Sequence, residues 1–174
     1  MQTKEEIENW HKNEDPWQYK TNPDDEKRLN ILLEELPKLN YNKVLDIGCG
    51  QGFITKHLPG DYILGVDISE EAIKYANTIS ANKINFKQAS IFNLNNILNE
   101  KFNLIVITGV LYPQYIGKSS SLIYYIIDNL LANKGVLVTV HIDDWYNCQF
   151  PYLKLKQRFY SYRNYNHKLE IYSK

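Results

Sequence analysis

Residues 44–52 read Val44-Leu45-Asp46-Ile47-Gly48-Cys49-Gly50-Gln51-Gly52, a short apolar run delivering the chain into three glycines spaced by two. The run has the character of a buried strand. Glycine at such a corner permits positive φ and lets another group lie against the main chain without meeting a Cβ. Residues 53–58 carry the start of a helix, so the corner opens a strand–helix unit. Taken alone, it serves equally as a tight structural turn with no ligand.

The same alternation continues. Residues 62–68, 84–89, 104–110 and 135–142 read as further strands, the fourth of the series apolar throughout, as a central parallel strand should be. Ser69 is suited to cap a helix that has Glu70 and Glu71 on its dipole and turns Ala72, Ile73 and Ala76 inward. A second helix starts at Ser119 with Leu122, Ile123, Ile126, Ile127, Leu130 and Leu131 on one side. Residues 158–165 and 168–172 read as two strands joined by a polar turn around Asn166. The expected class is α/β: a seven-stranded, mostly parallel sheet with helices on both faces and a C-terminal antiparallel hairpin.

Residues 1–40 differ in character and are expected to form an N-terminal helical arm or lid on the domain spanning 41–174, the whole being one globular unit. Ile7 and Trp10 mark a short amphipathic helix, and Pro16 and Pro23 interrupt the chain after it. From Asp24 a helix begins, with Asp24, Asp25 and Glu26 in its first turn and Leu29, Leu32, Leu33 and Leu36 at helical spacing. Twenty Lys+Arg balance twenty Asp+Glu, which weighs against nucleic acid as a partner. No apolar run approaches the roughly 20 residues of a membrane helix, and the polar N-terminus is unlike a signal peptide. Two cysteines cannot build a disulfide framework. A cytoplasmic protein without a metal site, monomeric or homodimeric, is therefore expected.

Two acids bracket the glycine corner. Asp46 stands just before it, and Asp67 ends the next strand about twenty residues on, where a carboxylate can hold a ribose diol. Phe53 occupies the place of the third glycine of a diphosphate-binding loop, and a carboxylate at the mouth suits an amino-bearing ligand better. The pattern points to a nucleoside with an amino-acid tail. With Gly65-Val66-Asp67-Ile68-Ser69, the corner resembles the two leading motifs of class I S-adenosylmethionine (SAM)-dependent methyltransferases. The resemblance runs from Tyr41 onward and implies a Rossmann-like fold with SAM as cofactor and S-adenosylhomocysteine (SAH) as product. It implies that Asp46, Gly48, Cys49 and Gly50 surround the methionine portion, Asp67 the ribose, and Ile68, Ser90 and Ile91 the adenine. Thr108 and Gly109 would floor the sulfonium region. Ser90 stands where the family usually carries an acid.

The arm has a narrower likeness. Trp10, Asp15-Pro16-Trp17-Gln18-Tyr19, Lys27-Arg28 and, after the fourth strand, Val110-Leu111-Tyr112 resemble the nodulation protein S group of methyltransferases, which N-methylate an amino sugar. A methyl group going to N or O of a small-molecule or saccharide acceptor is the implied reaction. His141 is the first candidate for a base, with sheet capping as its alternative, and Tyr112 for orienting the acceptor. Trp17 and Tyr19 either close over bound cofactor or staple the arm down. A nucleic-acid methyltransferase and a non-catalytic SAM-fold binding protein are the competing readings. The former lacks the Asp/Asn-Pro-Pro-aromatic motif, since Thr108-Gly109-Val110-Leu111-Tyr112 stands in its place.

Overall fold

The structure is a computed structural model that describes residues 3–12 and 22–174, so Trp17 and Tyr19 lie outside the described residues. Thr3 caps α1 (Lys4–His11) in a reciprocal box with Glu6, and Asn22 caps α2 (Pro23–Glu35), which has proline in its first turn. The other elements are β1 (Lys43–Ile47), β2 (Tyr62–Asp67), α3 (Glu70–Asn77), β3 (Ile84–Gln88), α4 (Leu94–Ile97) and β4 (Phe102–Thr108). Then come α5 (Pro113–Ile116), α6 (Ser120–Leu130), β5 (Leu131–Ile142), β6 (Leu153–Tyr162) and β7 (Tyr165–Ser173).

The seven strands form one sheet in the order β3-β2-β1-β4-β5-β7-β6. The first five run parallel, while β7 pairs antiparallel with both β5 and β6. Because side chains alternate across a strand, each strand feeds two cores. Leu45, Ile47, Ile105 and Ile107 pack with Ile123, Ile126 and Ile127 of α6 on one face. On the other, Val44, Ile63, Leu104 and Val106 pack with Leu29, Ile31 and Leu32 of α2. The order reverses between β1 and β4, and ligands of such sheets bind in the crevice outside the carboxyl ends of the strands.

Three local expectations need correction. The helix expected over 53–58 is a single 3-10 turn, Thr55–His57. Pro59 follows, and Leu58 before it is forced extended with ψ 141°, which leaves no room for a second turn. The strand expected to begin at 135 begins at Leu131. Its early part is irregular, the pairing stepping from Phe102–Leu131 to Leu104–Val136, with Lys134 at φ 60°. The tail strands turn at Arg163-Asn164 rather than around Asn166, and Tyr162 pairs with Tyr165. Arg163 takes the positive φ (52°) that asparagine would take more cheaply.

That turn is held from α2. The Arg163 backbone N–H donates to Asp24 Oδ2 (3.1 Å), and its guanidinium pairs with Asp25 Oδ2 (2.8 Å). The Tyr162 hydroxyl donates to Asp25 Oδ1 (2.5 Å). Asp25 is completely buried, so both oxygens exchange water for protein donors. The acids that favour the helix dipole thus also clamp the hairpin. Asp25→Ala strands a guanidinium and a buried hydroxyl together. Urea denaturation is expected to show a loss of about 3 kcal/mol, near the lower end for breaking a buried pair because Arg163 keeps some contact with water.

Candidate functional site

The glycine corner folds back over β2. Gly48 and Cys49 donate their N–H groups to the Val66 carbonyl (2.8 and 3.0 Å), and Gly50 N–H donates to Asp67 Oδ2 (2.9 Å). Ser69 N–H donates to Asp67 Oδ1 (2.9 Å). Gly48 has φ +77°, and a Cβ there would lie 2.1 Å from Val110 Cγ2, so no other residue fits without moving the β4 loop. Gly109, at φ +70°, is the opposite case: a Cβ would meet nothing within 4 Å. Its N–H donates to the Val140 carbonyl (2.9 Å), and its bare α-carbon faces open space.

A cavity of about 560 Å³ opens at these strand ends, within the range that holds drug-sized ligands. Gly48, Gly50, Asp67, Ile68, Ser90, Ile91, Thr108, Gly109 and Tyr112 all line it. Ser90 also caps the short 3-10 turn Ile91–Asn93, its Oγ accepting from Phe92 N–H (3.4 Å). Burial raises the pKa of Asp67, while the Ser69 and Gly50 donors oppose the shift and favour its ionised form.

Two of the residues expected to contact the cofactor, Cys49 and Asp46, stand behind the corner instead of in the cavity wall. Cys49 is buried against Gly65, where a Cβ would lie 3.1 Å from its own, and burial pushes its thiol well up. Asp46 is also buried; its Oδ2 accepts from Thr55 Oγ (2.7 Å), while its Oδ1 is sealed without a partner. Burial is the main reason its pKa rises to about 6, with the Asp67 charge adding to it.

His141 departs furthest from expectation. Its ring is fully buried outside the cavity wall, and Nε2 accepts from Leu111 N–H (3.1 Å). Burial holds its pKa well below the ordinary value, and the ring stacks on Tyr146 at 4.2 Å. The base expected there is a strand-end tie. Tyr112 ties in the other direction, its hydroxyl accepting from Ile142 N–H (2.8 Å), yet its ring remains in the cavity wall. Burial raises its pKa to about 12.

Several cavity residues, among them His11, Arg28, Trp145 and His167, were not assigned to the site from the sequence. His11 of α1 is buried near Asp67 and Gly50, its Nδ1 without a partner, and burial lowers its pKa. Arg28 of α2 lies over the Tyr162 ring at 5.1 Å. His167 of β7 and Trp145 complete the far wall. The position of α1 is fixed by Glu8, which accepts from Ser69 Oγ (2.7 Å), Glu70 N–H (2.7 Å) and Glu71 N–H (3.2 Å). A carboxylate from one helix thereby caps another. The signal for His11 was its place in the last turn of an amphipathic helix. His167 had none, because the turn was misplaced.

A family model described as a methyltransferase domain matches residues 40–170. The N-methyltransferase NodS of Bradyrhizobium japonicum WM9, solved with SAH, superposes with a TM-score of 0.78 at 23% identity, covering 97% of this chain and 96% of that one. A ubiquinone biosynthesis O-methyltransferase of Leptothrix cholodnii is 39% identical over 51 residues, 28% of this chain and 22% of its own length. A protein of Invertebrate iridescent virus 6, named only provisionally as a methyltransferase, is 29% identical over 110 residues, 61% of this chain and 39% of its own. The matched stretches are thus well under half of these two relatives.

Asp46 supplies a test of the site's electrostatics. An acid whose folded pKa is raised from 3.8 to about 6 costs nothing below the lower value and its full penalty above the higher. The ligand-free Asp46→Asn variant is expected to gain roughly 3 kcal/mol at pH 8, about half of that at pH 5 and almost none near pH 3.8. Urea midpoints across that range measure it.

Proposed function

The chain belongs to the methyltransferase domain family, and on that premise we propose that it transfers the methyl group of SAM to N or O of a small-molecule or saccharide acceptor. One observation carries this reading. A single cavity runs from Asp67, with its glycine corner, to an aromatic wall at the ends of β4 and β5. The names of two relatives, an N-methyltransferase and a ubiquinone biosynthesis O-methyltransferase, support a small-molecule acceptor.

The residues fit the cofactor. Asp67, already ordered by Gly50 and Ser69, would hold the ribose hydroxyls, with Ile68 and Ile91 against the base and Ser90 at its edge. Gly109 leaves space where a side chain would project, and Gly48 and Thr108 border it. Buried Asp46 Oδ1 and His11 Nδ1 are polar atoms still lacking partners at this end. Arg28 would pair with the methionine carboxylate. It lines the cavity, and its field reaches both Asp46 below the corner and Tyr112 beyond it. The arm, residues 1–40, would act as the lid through α1, whose Ile7, Trp10 and His11 line the cavity.

Bound SAM supplies a methyl group on a cationic sulfur, already activated for in-line displacement. The protein's task is to orient the acceptor and exclude water, for which pre-alignment is worth ~7–11 kcal/mol. Tyr112, fixed by the Ile142 N–H, would set the acceptor's angle.

Calorimetry with SAM and SAH, followed by labelled-methyl transfer to cell-extract acceptors, tests the reading. Affinity for neither nucleoside would refute it. Arg28→Ala is expected to weaken SAM and SAH binding at least tenfold, on the scale of one charged hydrogen bond. 5′-Methylthioadenosine, which lacks the carboxylate, should bind the variant as it binds the wild type. Asp67→Ala should weaken all three.

A further inference from the structure

The turn after β5 holds one aromatic ring out on a rigid mount. Asp143–Trp145 form a 3-10 turn, and the chain is pinned both before and after the indole. Asp143 Oδ1 pairs with Lys168 Nζ of β7 (2.8 Å), and the Asp143 carbonyl accepts from Tyr146 N–H (3.2 Å). Tyr146 is buried, with its ring stacked on His141 at 4.2 Å and Lys168 Nζ 5.3 Å from its centre. Between these two anchors Trp145 stays 44% exposed and lines the cavity.

Two further rings stand steeply against it. Tyr112, whose hydroxyl is fixed by the Ile142 N–H, lies 5.9 Å away at 77°, and Tyr165 lies 5.0 Å away at 60°. Tyr165 also lines the cavity and is 44% exposed. Three segments far apart in the chain thus bring their aromatic rings to one corner of the wall, and two of those rings remain nearly half open. Apolar surface left in water is a cost that folding has not removed, and a cluster of it inside a cavity marks a place for a ligand. The same turn buries Tyr146 and leaves out the larger ring.

Such a corner selects by shape. Tryptophan and tyrosine offer broad rigid faces with only two side-chain torsions to freeze, and here the mount has already ordered the backbone. A ring laid flat on the indole would meet Tyr112 and Tyr165 at a steep angle, an arrangement that aromatic groups prefer. A flexible open chain covers less of a flat surface and loses more torsional freedom in doing so. Resting on the methyltransferase reading above, we propose that Trp145 is the stacking platform for the methyl acceptor, with Tyr165 as its side wall, and that the acceptor is a ring compound with an apolar face. The face of an arene and the C–H face of a pyranose share that chemistry.

The test uses the full chain with labelled SAM and three acceptor sets: hydroxybenzoates with aminophenols, glucosamine with its oligomers, and open-chain alkylamines with amino alcohols. Transfer is expected to at least one of the two ring sets, which also tells arene from pyranose, and at most trace transfer to the third. For the ring acceptor so found, Trp145→Ala should raise KM roughly tenfold, on the scale of an aromatic contact, and Trp145→Phe should recover most of that loss. The SAM dissociation constant should stay within about twofold in both variants, since the indole serves the acceptor and not the cofactor. Transfer to no ring acceptor, open-chain acceptors methylated as fast as rings, or an unchanged KM in Trp145→Ala overturns the proposal. SAM calorimetry without acceptor reports on the underlying reading alone, so failure of that reading and failure of the acceptor platform are separable.

Discussion

The hydrogen bonds that Asp67 accepts from Gly50 and Ser69 hold together everything at the carboxyl edge of the sheet. One carboxylate fixes the glycine corner after β1 and the N-terminus of α3 after β2. These two segments would otherwise be independent loops over a polar crevice. The corner's other end is fixed by the Val66 carbonyl. With both ends tied, the backbone amides and bare α-carbons of the corner are presented in one conformation before any ligand arrives. Such pre-organisation lowers the ordering cost of binding. Glu8 extends the scheme by capping the same helix from α1, which brings His11 beside the Asp67 carboxylate.

A second set of ties joins β4 to β5. His141 accepts from Leu111 N–H, and Tyr112 accepts from Ile142 N–H. The two bonds run in opposite directions across the same pair of strand ends. They bind the loop after β4 to the sheet, which makes Tyr112 a rigid wall where a loop tyrosine would otherwise swing. A histidine at the end of a strand is an attractive base on sequence grounds because its ordinary pKa lies near neutrality. Burial removes that property here and leaves a hydrogen-bond acceptor with a structural task.

The sheet, most of its helices and the glycine corner beside Asp67 were legible in the sequence because each rests on local rules. Alternating apolar runs, glycines at a strand end and a serine before two glutamates need no knowledge of distant neighbours. What was not legible depends on contacts far apart in the chain. Arg163 takes left-handed backbone because Asp24 and Asp25, about 138 residues earlier, hold it there. With the turn displaced, the phase of β7 was lost, and with it the inward position of His167. Asp46 and Cys49 illustrate a different gap. Both stand beside the glycine corner, but whether a side chain there points into a cavity or behind it is decided by packing. Here Thr55 receives Asp46, and the hollow at Gly65 receives Cys49.

The clamp between α2 and the β6–β7 turn gives the two halves of the cavity a shared mechanical foundation. Asp25 holds the hairpin, and Arg28, less than one helical turn further on, lies over the Tyr162 ring in the cavity wall. Remodelling the hairpin therefore disturbs the helix that carries Arg28 as well. The hairpin and the helix beneath the cavity are thus one mechanical unit, and neither can be redesigned without the other.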